Sequence, residues 1–238
     1  MRVLQAILFY IGFITSTILY SLPCILVRIL PYRWCFAFVS SWCTFNVHWA
    51  RITCGIKYKI TGLENVPEKA CVIMSNHQST WETLAYPSIF PTLTWVIKKE
   101  LLYVPFFGWG IASVQPIALD RKQGKKSIRQ LIEDGKKKLS LGRYLLIFPE
   151  GTRIPYEESR PLKAGGFVLA KEANVPILPV AHDAGRLWPR HGFLKTPGTI
   201  HVHIGKPMIV DRLSPEEIRD QYSEWLNNKR VELKQLSR

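Results

Sequence analysis

Apolar residues run without a charge from Val3 to Val27, with Arg2 and Arg28 at the two ends. At about 1.5 Å per residue a helix of that length reaches roughly 37 Å, more than the roughly 30 Å of a hydrocarbon core. The pattern predicts a membrane-associated helix. A cleaved signal peptide fits less well, because the run is long, only Arg2 precedes it and no A-x-A-like site follows. A second uncharged run, Trp34 to Ala50, carries Ser40, Ser41, Thr44, Asn46 and His48 and would span only about 25 Å as a helix. Its Phe38, Trp42, Phe45 and Trp49 recur at i, i+4, i+7 and i+11 and so share one helical face. That stripe suits the water–lipid boundary, where Trp is enriched; the alternative is packing on the body of the protein.

After Cys54 the pattern changes to short apolar runs alternating with amphipathic stretches, the rhythm of an α/β domain. Strands are expected at Ile56–Thr61, Cys71–Met74, Thr94–Ile97, Pro116–Leu119, Tyr144–Phe148, Ile177–Ala181 and Thr199–Ile204. Helices are expected at Thr80–Ser88, Lys125–Ser140, Gly165–Ala173 and Pro215–Leu233. The last has a marked start, with Ser214 as cap, Pro215 at the first helical position and Glu217 completing a capping box. Residues 1–55 then form membrane-associated helices and residues 56–238 a catalytic or binding domain.

Charge narrows the partners. Lys and Arg number 32 against 18 Asp and Glu, a net +14, so the surface favours something anionic: nucleic acid, acidic lipid or a phosphorylated substrate. Arg28, Arg33 and Arg51 outnumber Arg2, which puts the main body on the cytoplasmic side whether the first helix spans or both helices lie in one leaflet. A hydrophobic content of 47% excludes a disordered chain. The five Cys are odd in number and lack metal-ligand spacing, as buried thiols of a reducing compartment would be.

Three strand ends carry candidate chemistry. Ser75-Asn76-His77-Gln78-Ser79-Thr80-Trp81-Glu82 follows the second strand. On a continuous helix His77 and Glu82 would point about 140° apart, so they can meet only if His77 lies in the turn before the helix. A carboxylate on one imidazole nitrogen then leaves the other free to take a proton from a hydroxyl. The competing reading is a capping box, with Ser79 as cap and Glu82 bonding back to it. Phe148-Pro149-Glu150-Gly151-Thr152-Arg153 ends the fifth strand and offers backbone N–H groups and a guanidinium for a phosphate, and a carboxylate for a polyol hydroxyl. Arg121, in Leu119-Asp120-Arg121, is a second candidate phosphate ligand. All three segments sit at carboxyl ends of strands, where open α/β sheets bind ligands.

In this combination the sequence resembles the glycerolipid acyltransferase family, closest to its bacterial 1-acylglycerol-3-phosphate members. Four blocks occur in order between Cys71 and Val180: His77–Glu82, Gly110–Arg121, Phe148–Arg153 and Val175-Pro176-Ile177-Leu178-Pro179-Val180. The first and third are specific; the second and fourth are loose. The resemblance implies a mixed sheet flanked by helices, preceded by the two membrane-associated helices. It implies His77 as general base with Glu82 as partner, and a glycerol-phosphate site of Arg121, Glu150, Gly151 and Arg153 with Thr152 nearby. Pro179 is implied to lie near the acyl donor. The family's usual pattern is H-x-x-x-x-D; here Glu82 supplies the carboxylate with one more methylene. The implied reaction moves an acyl chain from coenzyme A or acyl carrier protein to the 2-hydroxyl of lysophosphatidate, at an anionic inner membrane, with no metal or cofactor. An acyltransferase acting on another lysolipid, or a basic membrane module that binds lipid without turnover, is the alternative.

Other signals are set aside. His201 and His203 share a strand face but have no third ligand, and Gly124-Lys125-Lys126-Ser127 lacks the opening glycine of a P-loop because position 119 is Leu. There is no G-x-S-x-G nucleophile elbow, and no nucleic-acid recognition motif accompanies the basic charge. Lys136, Lys137 and Lys138 read as a solvated helix face.

Overall fold

The computed structural model describes residues 1–236. Two long helices, α1 (Arg2–Val27) and α2 (Tyr32–Cys54), precede β1 (Ile56–Thr61), β2 (Val72–Ser75), α3 (Trp81–Ile89), β3 (Leu93–Lys98) and α4 (Phe107–Ser113). There follow β4 (Ile117–Leu119), α5 (Lys125–Ser140), β5 (Tyr144–Ile147), α6 (Gly165–Ala173), β6 (Ile177–His182), α7 (Ala184–Leu187), β7 (Gly198–Ile204) and α8 (Pro215–Leu236). Each strand forms within a residue of its expected bounds. The short helices α4 and α7 were not foreseen from the pattern.

The strands make one sheet in the order β1-β7-β6-β2-β5-β3-β4. From β6 to β4 all neighbours are parallel; β7 runs antiparallel to β6 and pairs in parallel with β1, so the sheet is mixed. Met74 is in register with Ile147, and Ser75 with Val180, which levels the carboxyl ends of β2, β5 and β6. Side chains alternate between the faces. Ile73, Leu146, Leu178 and Val180 pack on one side with α2 and α3. Val72, Leu145, Ile147 and Ile177 pack on the other with α5, α6 and α8. Local signals close the elements as expected: α2 stops at Gly55 with φ +68°, and the Ser214–Glu217 capping box opens α8 with reciprocal bonds of 2.7 and 3.2 Å.

Helix α1 is long and apolar enough to cross a membrane, and few of its residues are buried. It nevertheless lies along the rest of the protein. Near its start Phe9 meets the Trp188 ring edge-on at 4.9 Å, and near its end Cys24 lies against Ser113 of α4. The aromatic stripe of α2 turns out to serve the helix–helix seam. Trp42 donates to Ser16 Oγ (3.2 Å), Trp49 donates to the Leu8 and Phe9 carbonyls (3.2 Å each), and Phe38 packs on Tyr20; of the four only Phe45 is exposed. The indole N–H groups prefer these partners because each satisfies a donor that hydrocarbon would leave unpaired. The expectation of a membrane-facing stripe is thus corrected, and of the two helices α1 carries the larger exposed apolar surface.

The seam is tight at Gly12, where an added Cβ would stand 2.2 Å from Trp49 Nε1. Gly12→Ala must push the indole off its two carbonyls, and overpacking of this kind costs about 1–3 kcal/mol. A lowered thermal midpoint in detergent is the expected result.

Candidate active site

The site is built on the levelled strand ends. His77 lies in the turn between β2 and α3, and its Nδ1 stands 2.8 Å from Glu82 Oε1. The same oxygen accepts the backbone N–H groups of Gln78 and Ser79, each at 2.8 Å, while Ser79 Oγ accepts the Trp81 N–H at 3.1 Å. The dyad and the capping box are therefore one structure rather than alternatives. The cap draws the carboxylate back over the first turn, and that is where the imidazole waits. The extra methylene of Glu82 is absorbed within this bond length.

Burial alone would raise the Glu82 carboxyl, but His182, His77 and the Ser79 N–H together hold it below its usual value. A carboxylate only accepts, so His77 Nδ1 donates, and in the neutral ring Nε2 then keeps its lone pair. Burial lowers the His77 imidazole, against the pull of Glu82 and with the help of Arg153 and His182. The ring is stacked on Phe148, centroids 4.0 Å apart and planes 13° apart.

Both backbone groups of His77 are taken by the segment after β5. Its N–H donates to Glu150 Oε2 at 3.0 Å, and its carbonyl accepts the Ile154 N–H at 2.8 Å. On the opposite side the Asn76 side chain bonds the backbone of His182 in both directions (2.9 and 3.0 Å), and Gln78 Oε1 accepts the Gly185 N–H at 3.2 Å. The turn is clamped between the ends of β5 and β6.

The three sequence segments do converge. His77, Arg121, Gly151, Thr152 and Arg153 line one cavity of about 450 Å³. Arg153 Nη1 donates to Thr80 Oγ1 at 2.9 Å, and Arg121 Nη1 donates to the Gly151 carbonyl. Gly151 has φ +72°, a conformation that favours glycine. Two expected site residues lie elsewhere. Glu150 is buried beneath the turn and absent from the cavity lining, because its carboxylate is spent on the His77 N–H. Pro179 is buried on β6 with its carbonyl bonded to Gly205 N (2.8 Å); strand alternation places it on the α8 face of the sheet, beside Trp225 and away from the cavity.

Lys98, Thr80, Arg190 and His191 also line the cavity and were not anticipated. Lys98 ends β3, so the strand-end rule applied to that strand would have found it; Arg190 and His191 come from the loop after α7 and carry no local signal. The remaining wall is apolar and comes largely from the two leading helices and α4, among them Phe13, Tyr20, Val39, Trp42, Phe107 and Ile111. His203 Nδ1 is 3.0 Å from Thr61 Oγ1, and the His201 N–H donates to Asp183 at 2.7 Å. Among the described residues no group of His, Cys, Asp and Glu is arranged to hold a metal.

Residues 57–183 match the sequence model of the acyltransferase family. This chain belongs to the acyltransferase family. The acyltransferase is 43% identical over 98% of its length to a Pseudomonas aeruginosa protein named 1-acyl-sn-glycerol-3-phosphate acyltransferase, of which it covers 92%. A Saccharomyces cerevisiae protein of the same name is 32% identical over 82% of this chain and 66% of its own length. The crystal structure of the 1-acyl-sn-glycerophosphate acyltransferase PlsC from Thermotoga maritima superposes with a TM-score of 0.81, covering 98% of this chain and 96% of that one. At 23% identity that likeness establishes the fold.

Burial pushes the Glu150 carboxyl from 4.5 up to about 8, against its own N–H and that of His77. A raised carboxyl stabilises the fold fully below its unfolded pKa, and the contribution is lost as pH rises through the folded value. Glu150→Gln keeps an acceptor for the His77 N–H and cannot ionise. Melting measured from pH 5 to 8 is expected to show wild type losing stability relative to Glu150→Gln as pH rises.

Proposed function

We propose that this acyltransferase moves an acyl group from acyl-CoA or acyl carrier protein to the sn-2 hydroxyl of 1-acylglycerol 3-phosphate, giving phosphatidic acid for phospholipid synthesis. One observation carries the reading: a carboxylate-oriented imidazole, its Nδ1 held by Glu82, lines a cavity that it shares with guanidinium groups and a largely apolar wall. The names borne by the bacterial and yeast relatives support it.

In this mechanism His77 Nε2 takes the sn-2 hydroxyl proton as the oxygen attacks the thioester carbonyl. Glu82 stabilises the imidazolium that forms. The tetrahedral intermediate collapses, the carbon–sulfur bond breaks, and the thiolate leaves with the proton returned by His77. Arg121 and Arg153 bind the phosphate, Arg153 being aimed by Thr80; Gly151 and Thr152 shape the rim of that subsite. Glu150 acts through His77 as a positioning residue. The apolar wall holds acyl chain, which makes α1 and α2 part of the substrate site as well as a membrane attachment. No cofactor enters the reaction. The excess of Arg28, Arg33 and Arg51 over Arg2 supports a domain at the cytoplasmic face of an inner membrane, where lysophosphatidate, the bilayer and either acyl carrier are all anionic.

His77→Ala is expected to lower transfer by about 10²- to 10⁴-fold while lysophosphatidate binding persists; unchanged transfer would remove the base mechanism. The base must be neutral and its pKa is lowered, so kcat/KM for wild type should fall only on the acid side of the ordinary imidazole value of 6.5. Glu82→Gln removes the opposing carboxylate and should move that limb to still lower pH at a reduced rate. Arg153→Ala should raise KM for the acceptor more than it lowers kcat.

A further inference from the structure

The loop between α7 and β7, running from Trp188 to Pro197, lies outside the stretch that matches the family. Its surface inverts the usual placement of charge. Lys195 is only 3% exposed, whereas its neighbours Phe193 and Leu194 are 48% and 45% exposed. The Lys195 ammonium stands 4.0 Å from the Tyr10 ring centroid, 4.4 Å from Phe9 and 4.9 Å from Trp188, and donates to the Phe193 carbonyl at 3.3 Å. Desolvation in this cage brings it down to about 8. A loop facing water does the reverse: lysine keeps its ammonium in solvent and the large apolar tips turn inward. Here the cation is spent internally, holding the loop against α1 through desolvated cation–π contacts.

The exposed tips continue an existing apolar face. Phe193 stacks on Tyr10, centroids 5.4 Å apart and planes 11° apart, and shares a shallow groove with Ile7, Ile11 and Ile14 of α1. Those three isoleucines are exposed and belong to the helix that is long and apolar enough to cross a membrane. At the other end of the loop, Arg190 and His191 line the cavity, and Arg190 Nη1 donates to the Arg153 carbonyl at 2.6 Å. No acidic residue occurs between Asp183 and Asp211, so the surroundings of the tip favour anionic headgroups.

We propose that the Trp188–Pro197 loop is a membrane-inserted element, with Phe193 and Leu194 entering the acyl region of the leaflet that takes α1 and Arg190 and His191 meeting its phosphates at the cavity rim. The occupant of the groove is a phospholipid leaflet, since the patch is continuous with the exposed apolar face of α1 and the loop that carries it holds Arg190 and His191 and no acidic residue. A large exposed apolar patch of this kind marks an interaction surface, and Lys195 is the pin that fixes it to α1. The proposal rests on the membrane reading given under the proposed function.

The five native cysteines are buried, so single cysteines at exposed positions can carry an environment-sensitive fluorophore in the full chain. Leu194→Cys reports on the loop, Leu19→Cys on α1 and Val231→Cys on α8, all three positions being exposed in the fold. An unaltered thermal transition establishes that each labelled variant is folded. With vesicles containing an anionic phospholipid, the labels at 194 and 19 should shift to the blue and be quenched by brominated acyl chains, while the label at 231 should not change. A label at 194 that behaves like the one at 231 while the one at 19 inserts would overturn the loop assignment alone. Labels at 194 and 19 that both stay in water would overturn the membrane reading with it. A shift at 194 that follows protein concentration without vesicles would assign the groove to a second copy of the chain, and so also overturn the proposal.

Discussion

The site depends on a backbone clamp. His77 spends its own N–H on Glu150 and its own carbonyl on the Ile154 N–H, so the turn after β2 and the segment after β5 are held as one piece. Asn76 and Gln78 tie the same turn to the end of β6. Because the strands are parallel and in level register, these short bonds suffice. The positions of His77 and Arg153 relative to each other are thus fixed by sheet geometry, with the long side chains only completing the arrangement. A constellation held on rigid elements in this way needs little reorganisation when a ligand binds.

The second constraint is electrostatic. Glu82 is fully buried, which by itself would favour its neutral form. The neighbouring His182, the His77 Nδ1–H at 2.8 Å and the Ser79 backbone N–H at 2.8 Å keep it ionised. The ionised carboxylate then fixes the tautomer of His77, and burial keeps that imidazole neutral. The bonds that start the helix thus also orient the His77 imidazole. Glu150 is governed by the opposite balance: it has fewer donors and is pushed up to about 8, which suits a support beneath the turn.

Much of this was legible in the sequence. Period-two and short apolar runs placed β1 to β7, and the mixed sheet flanked by helices was correctly expected from the resemblance. The dyad was legible as a pair of residues that could meet only across a turn, and the capping box as a rival use of Glu82; that both use one oxygen is a three-dimensional fact. The expected residues that lie off the cavity share a cause. Glu150 sits in the segment read as a phosphate site, but its direction depends on which neighbour has an unpaired N–H. Pro179 lies in a loose family block, but strand alternation turns it to the far face. The aromatic stripe of α2 was read correctly as a face, and what covers it is decided by the Ser16 and Gly12 positions on α1. Helix α4, with Gly108 and Gly110 among its seven residues, has weak intrinsic helix propensity and forms against its neighbours. The cavity walls, made by segments far apart in the chain, have no local pattern at all.

The account turns on one tautomer: His77 with its proton on Nδ1 and a bare Nε2 facing the cavity. Nitrogen-15 NMR of ring-labelled histidine at neutral pH reads this directly. The account predicts a His77 signal with a protonated Nδ1, a strongly deshielded Nδ1 proton from the Glu82 bond and an unprotonated Nε2. An imidazolium at that pH, or a neutral ring carrying its proton on Nε2, would contradict it.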